Sequence, residues 1–171
     1  MRADSTTSRA FPTVSNPAVH VVTRATFPES PARLWEALLL YEEIDEHPPW
    51  YMRLLLPVPV RHGGGVRKVG ETIECLYEGG RLVKRVTSLQ ESRRYEFDVV
   101  EQDLRLGGGV LLAGGCYMLR ERDNGGTEVA VETRYVGVRR PRWLWEPLER
   151  AVCGVFHRHL LRIIHQRIES P

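Results

Sequence analysis

Five strand-like runs in series, followed by a long helical segment, limit the fold of this chain more than any other feature. The runs are VGETIECLYE, RLVKRVTSL, RYEFDVVEQ, VLLAGGCYMLRER and TEVAVETRYVGV. Short turns separate them, and such connections join antiparallel neighbours. Ile73, Cys75 and Tyr77 alternate with polar residues. This alternation predicts a sheet with one buried face and one solvated face.

Two further elements precede the five runs. VHVVTRATF predicts a first strand, and SPARLWEALLLYEEIDEH predicts a helix with Ser30 as its cap and Pro31 at its first position. Residues 50–65 are irregular because prolines and glycines interrupt them. A long helix is predicted over about residues 143–168. This order indicates an α+β protein in which one antiparallel sheet packs against a helix.

The length of 171 residues suits one domain, which we place at residues 18–168. Residues 1–17 are rich in Ser, Thr, Pro and Arg and show no hydrophobic periodicity. We expect this segment to be a disordered tail because it lacks the apolar residues of a packed core.

Composition excludes several classes of function. The formal net charge is +2 and the basic residues are scattered, so no nucleic-acid partner is expected.

Cys75, Cys116 and Cys153 are odd in number and far apart, which suits buried thiols in a reducing compartment. The chain shows neither the ~18 apolar residues of a membrane span nor a signal-peptide pattern. We therefore expect a cytoplasmic protein.

The last helix contains CGVFHRHLLRIIHQRI, which carries three of the six histidines. Successive helical residues are ~100° apart, so His157 and His159 point to different sides, and His157 and His165 lie ~12 Å apart along the axis. These positions exclude a shared metal, and no metal or other cofactor is expected.

The same helical geometry predicts which side of the helix faces the sheet. His159 lies within an apolar stripe formed by Leu148, Val152, Phe156 and Ile163. The opposite, solvated side is expected to carry His157, Arg158, Leu161 and His165. His159 would then be a hydrogen-bonded core residue, a polar group in an internal cavity, or a general acid or base.

Several stretches resemble a known superfamily. They are FPESPARLWEALLLYEEIDEHPPW, the step Val69-Gly70-Glu71-Thr72, the hairpin Gly125-Gly126-Thr127-Glu128-Val129, and the terminal helix. In this order they resemble the START and birch-pollen-allergen-like (SRPBCC) superfamily, specifically its bacterial polyketide cyclase/dehydrase and lipid-transport branch. The resemblance implies a helix-grip fold, in which a curved antiparallel sheet of about six strands wraps around the long C-terminal helix. It also implies a hydrophobic cavity between sheet and helix.

The expected ligand is a small hydrophobic molecule, lipid-like or aromatic, with one or two oxygens. Apolar pockets of this kind carry a few orienting polar groups. The candidate ligand-binding residues are Tyr77, Tyr95, Tyr117 and Tyr135 on the inward strand positions, with Phe156, His159 and Trp50. For each tyrosine the alternative is ordinary core packing, in which the hydroxyl reaches the backbone or solvent.

Two hypotheses of different classes remain for the function, and a surface interaction module is a weaker third. The first is a carrier or sensor that binds its ligand without converting it. The second is a cyclase or dehydratase in which His159 and a tyrosine move protons. The carboxylates of the strands are predicted to lie mostly on outward-facing positions. The pocket would then lack a strong base, which favours the first hypothesis. Weak contact with a membrane surface is a further expectation, through Arg139, Arg140, Arg142, Trp143 and Trp145.

Overall fold

The computed structural model describes residues 18–41, 59–62, 68–77, 80–103, 109–123 and 125–169. The predicted tail and Trp50 therefore lie outside the described residues. In chain order the elements are β1 (Val19–Phe27), α1 (Pro31–Tyr41), β2 (Pro59–His62), β3 (Thr72–Tyr77), β4 (Gly80–Gln90), β5 (Arg94–Asp103), β6 (Val110–Glu121), β7 (Thr127–Gly137) and α2 (Arg142–Glu169). The sequence predicted all of these except the short strand β2.

The strands form one antiparallel sheet in the order β1-β7-β6-β5-β4-β3-β2. This arrangement confirms the predicted helix-grip fold, with β2 as a short addition at the edge. Burial alternates along the strands as the sequence predicted. Ile73 and Cys75 are buried on the concave side, whereas Glu74 is exposed.

The first helix begins where the sequence places it. The Leu34 amide donates to the Ser30 carbonyl at 3.2 Å, and Pro31 opens the helix because its missing N–H needs no partner there. Leu34, Ala37 and Leu38 are buried. Among the described elements, α1 packs mainly against α2 and β6, so it covers part of the concave face.

Two strands of the sheet separate at one end. Main-chain pairing between β5 and β6 runs from Arg94 to Asp98 and does not extend to the end of β5. Beyond it the Gln102 side chain donates to the Val110 carbonyl at 3.0 Å and accepts from the Leu112 amide at 2.8 Å. The Gln102 side chain thus takes the place of a β5 backbone partner for these two part-buried peptide groups.

The long helix α2 lies across the concave face and packs mainly on β1, β7 and α1. Leu160, Leu161 and Ile164 of its second half are buried in the hydrophobic core. The Arg33 guanidinium of α1 donates to the Ile168 carbonyl at 2.9 Å and joins α1 to the last turn of α2. None of the described helices is long and apolar enough to cross a membrane.

Candidate functional site

An aromatic surface occupies the concave side of β5 and β6. Tyr95 and Tyr117 are direct partners in the ladder, and their rings stack with centroids 5.8 Å apart and an interplanar angle of 12°. Phe97 continues the surface, 5.6 Å from the Tyr95 ring. Tyr95 and Tyr117 are 0% and 9% exposed. The structure therefore brings together two of the predicted site tyrosines, with Tyr77 partly buried at the edge of the same cluster.

The glycine pair in β6 makes room for this surface. A Cβ atom at Gly115 would lie 2.8 Å from the Phe97 ring. At Gly114 a Cβ would clash with the backbone of β5 at Phe97. Glycine at position 115 therefore leaves space for the Phe97 ring, and glycine at position 114 allows the backbones of β5 and β6 to approach closely.

Lys84 is a functional candidate that the sequence reasoning missed. Its side chain lies on the concave side of β4, is buried, and places its ammonium 4.7 Å from the centre of the Phe97 ring. A cation over an aromatic face is attracted by the ring quadrupole. The alternation Leu82, Lys84, Val86 would have identified this inward position, since both flanking residues are core residues.

A separate polar cluster joins the first half of α2 to β1 and β7. The His157 ring binds the Thr23 hydroxyl through Nδ1 at 2.9 Å and the Thr133 hydroxyl through Nε2 at 2.8 Å. Cys153, one turn earlier on α2, places its Sγ 3.5 Å from Nε2. A neutral imidazole donates from one nitrogen and accepts at the other, so the two threonines satisfy both. His157 thus connects α2 to two strands.

The predicted orientation of the last helix was wrong. His157 is fully buried and Leu161 is buried beside it, whereas His159 is half-buried and Leu148 is 55% exposed. His165 and Arg158 are exposed, as predicted. Ile163 of the predicted stripe is buried, but the other buried positions follow the spacing of His157, Leu160, Leu161, Ile164 and Ile168. The first half of α2 carries apolar residues on several sides, so spacing alone selected the wrong stripe.

Burial gives His157 an unusual proton affinity. Removal from water, together with the smaller effect of the nearby Arg158 charge, lowers the pKa of His157 to about 4. The ring is therefore neutral near pH 7. Cys153 also stays protonated because burial raises the pKa of its thiol. The Cys153–His157 pair is a neutral hydrogen-bonded contact and not an activated nucleophile.

A buried ion pair extends the polar cluster toward the start of α2. The Arg142 guanidinium binds both carboxylate oxygens of Glu149, at 2.9 and 2.7 Å, and the Glu149 side chain is almost fully buried. The guanidinium lies directly over Gly137 of β7, where any Cβ atom would clash with it. Arg142 therefore points into the protein, which removes it from the predicted membrane-contact residues.

Tyr135 lies on β7 between Thr133, which binds His157, and Gly137, which lies against the Arg142 guanidinium. It is 2% exposed, and its hydroxyl has no hydrogen-bond partner within the part of the chain that the structure describes. Burial, followed by the nearby Glu149 carboxylate, raises the pKa of Tyr135 to about 12. This predicted site residue belongs to the polar cluster and is not a member of the hydrophobic cluster that holds Tyr95 and Tyr117.

The remaining site candidates lie at the margins of this region. Phe156 is half-buried, and its ring centroid is 6.3 Å from that of His157. The three cysteines form no disulfide with one another; Cys75 and Cys116 are buried, and burial raises the pKa of Cys116 to about 11. Within the described ranges, no group of three or more His, Cys, Asp or Glu side chains could hold a metal ion.

Comparison with solved structures supports the fold. The chain is similar to an aromatase/cyclase from Streptomyces sp. R1128 (TM-score 0.61, 17% identity, covering 90% of this chain and 94% of that one). It is also similar to a START superfamily protein from Mycobacterium smegmatis (TM-score 0.62, 11% identity, covering 88% of this chain and 97% of that one). A third similar structure is Ara h 8.0201 (TM-score 0.59, 14% identity, covering 91% of this chain and 100% of that one). The chain therefore has the START-like helix-grip fold. No family model and no curated protein matches its sequence.

Proposed function

We propose that the protein binds a small, largely apolar molecule between the concave face of the sheet and α2, without converting it. The observation that carries this proposal is the half-buried Phe97 ring, which lies beside the stacked and buried rings of Tyr95 and Tyr117. Flat rings with polar tips are typical of sites that hold aromatic or lipid-like ligands. Lys84 adds one positive charge beside this surface. The similarity in fold to an aromatase/cyclase and a START superfamily protein supports an aromatic or lipid-like ligand.

The protonation states favour binding over proton transfer. An efficient general acid or base needs a pKa near the working pH. His157 has its pKa at about 4 and Tyr135 at about 12, and both ring nitrogens of His157 are engaged by threonines. The cyclase or dehydratase hypothesis would instead depend on His159, which is half-buried on the flank of α2.

Ligand binding is tested by native mass spectrometry of gently purified protein and by titration with 2-acetylnaphthalene, followed by intrinsic fluorescence. We expect saturable 1:1 binding with the probe recovered unchanged. Phe97→Leu should weaken binding about fivefold, because an aromatic contact contributes about 1 kcal/mol beyond its buried area. Val22→Ala, on the exposed side of β1, is the matched control and should leave the affinity unchanged. Absence of saturable binding in the wild type would refute the proposed function.

We further propose that the first turns of α2 contact an anionic membrane surface. Trp143 is 77% exposed, and Leu144 and Leu148 are more than half exposed. The Arg139 guanidinium stacks on the Trp145 ring at 4.5 Å. Indoles and aliphatic side chains insert at the lipid interface while arginines bind phosphates. Arg158 and Arg162 lie further along the exposed side of the same helix.

Co-sedimentation with lipid vesicles tests this contact. One set of vesicles contains phosphatidylcholine alone, and the other also contains roughly 30–40% of the anionic lipid phosphatidylglycerol. We expect binding only to the anionic vesicles, and the double variant Trp143→Ser, Leu148→Ser should lower the bound fraction at least about threefold. The control Val22→Ser removes an exposed apolar residue from the sheet. Equal binding of both variants would show that the first turns of α2 are not the contact surface.

A further inference from the structure

The Tyr135 hydroxyl is a buried polar group whose neighbours already have partners. Both oxygens of Glu149 are bound by Arg142, and both ring nitrogens of His157 are bound by Thr23 and Thr133. The hydroxyl itself is enclosed and unpartnered within the described residues. A buried hydroxyl without a partner loses its hydrogen bonds to water and gains none in return. Among the described residues, this hydroxyl therefore lacks the partner that a buried donor needs.

The position of Tyr135 connects this hydroxyl to the apolar part of the proposed site. On the concave side of β7 it follows Thr133 and precedes Gly137. Its cross-strand neighbours are Val19 of β1 and Leu112 of β6, and Leu112 packs on the hydrophobic cluster that contains the aromatic surface. A molecule bound against the hydrophobic cluster would contact apolar atoms on most sides. The Tyr135 hydroxyl would be a polar group at its edge.

The protonation state of Tyr135 decides what the phenol can recognise. Because its pKa is raised to about 12, the hydroxyl keeps its proton at neutral pH and acts as a hydrogen-bond donor. The Glu149 carboxylate nearby disfavours a second negative charge at this place. The matching ligand group is therefore a neutral acceptor, such as the oxygen of a ketone, ester or amide, and not a carboxylate.

We propose that Tyr135 donates a hydrogen bond to a carbonyl oxygen of the bound apolar ligand and so selects carbonyl-bearing molecules over hydrocarbons of the same shape. The inference rests on the proposed function and specifies its ligand class. Tyr135 binds and orients the ligand here, and no bond is made or broken.

The test uses two probes of nearly equal shape, 2-acetylnaphthalene and 2-ethylnaphthalene, which differ in the carbonyl oxygen. Wild-type protein is expected to bind the ketone about fivefold more tightly than the hydrocarbon, the factor that one net hydrogen bond supplies. Tyr135→Phe should bind both probes with equal affinity. The control Thr87→Val deletes a hydroxyl on the exposed side of β4 and should keep the wild-type preference.

The melting temperature of the ligand-free Tyr135→Phe variant provides a second readout. Removal of an unpartnered buried hydroxyl should leave it unchanged or raise it by about 2–4 °C. A clear fall would show that the hydroxyl holds a structural water and would overturn the inference. An unchanged probe preference in the variant would also overturn it while leaving ligand binding intact. If neither probe binds the wild type, the proposed function fails together with the inference.

Discussion

Replacing His157 with alanine is expected to lower the free energy of unfolding by about 3–4 kcal/mol. The substitution removes a fully buried ring, leaves a cavity between α2 and the sheet, and deprives the Thr23 and Thr133 hydroxyls of their partner. Cavity formation and unsatisfied buried hydroxyls each cost about 1–3 kcal/mol. Urea denaturation followed by circular dichroism measures the change.

His165→Ala is the matched control because it lies on the same helix with an exposed side chain. We expect it to change the free energy of unfolding by less than about 0.5 kcal/mol. A similar loss in both variants would show that His157 does not connect α2 to the sheet in the way its contacts indicate.

The lowered pKa of His157 is also expected to make the free energy of unfolding depend on pH. The pKa of His157 is about 4 in the folded protein against an ordinary value of 6.5, so the unfolded chain binds this proton first as the pH falls. Its contribution is fully present above pH 6.5, is lost between pH 6.5 and 4, and is constant below pH 4. The loss amounts to about 3 kcal/mol at most. The difference between wild type and His157→Ala should therefore shrink on acidification, and a constant difference would contradict the assignment.

Replacing Arg142 with methionine is expected to cost about 3 kcal/mol. The Glu149 carboxylate would remain almost fully buried without the guanidinium that binds both of its oxygens. Breaking a buried pair by removing one partner is much more costly than replacing both with apolar residues. The double variant Arg142→Met, Glu149→Leu should therefore recover most of the lost stability, as measured by urea denaturation.

Arg81→Met is the control for this ion pair. Arg81 binds Glu74 and Glu101 on the surface, where all three side chains are roughly half-exposed. Exposed pairs contribute about 0–1 kcal/mol, so this variant should be nearly neutral. If Arg142→Met were equally neutral, the Arg142–Glu149 pair would not stabilise the start of α2.

The sheet and the first helix could be predicted because their signals are local. Each strand of the sheet from β3 to β7 coincides with one of the five runs, and β1 matches VHVVTRATF at both ends. A strand places successive side chains on opposite faces, so alternation alone predicted that Tyr95 and Tyr117 point inward. The cap at Ser30 and the proline at position 31 likewise set the start of α1 through contacts within a single turn.

The candidate site could be predicted only in part. The sequence identified four tyrosines. It did not show that Tyr95 and Tyr117 belong to the hydrophobic core whereas Tyr135 lies beside the polar cluster. Lys84 was missed although its alternation with Leu82 and Val86 was visible. Glu149 and Arg142 are seven residues apart, and their pairing depends on the absence of a side chain at Gly137 on another strand.

The sequence by itself determined the order of the elements, the faces of the strands and the start of each helix, because these depend on neighbours within a few residues. Tertiary structure alone decided which side of α2 is buried. It therefore also decided that His157, and not His159, is the buried histidine that binds the sheet. Apolar residues occur on several sides of that helix, so its rotation depends on contacts with the rest of the fold, among them the two threonines of β1 and β7 that bind the imidazole. Those partners are 134 and 24 residues away in the chain, beyond the reach of any local pattern.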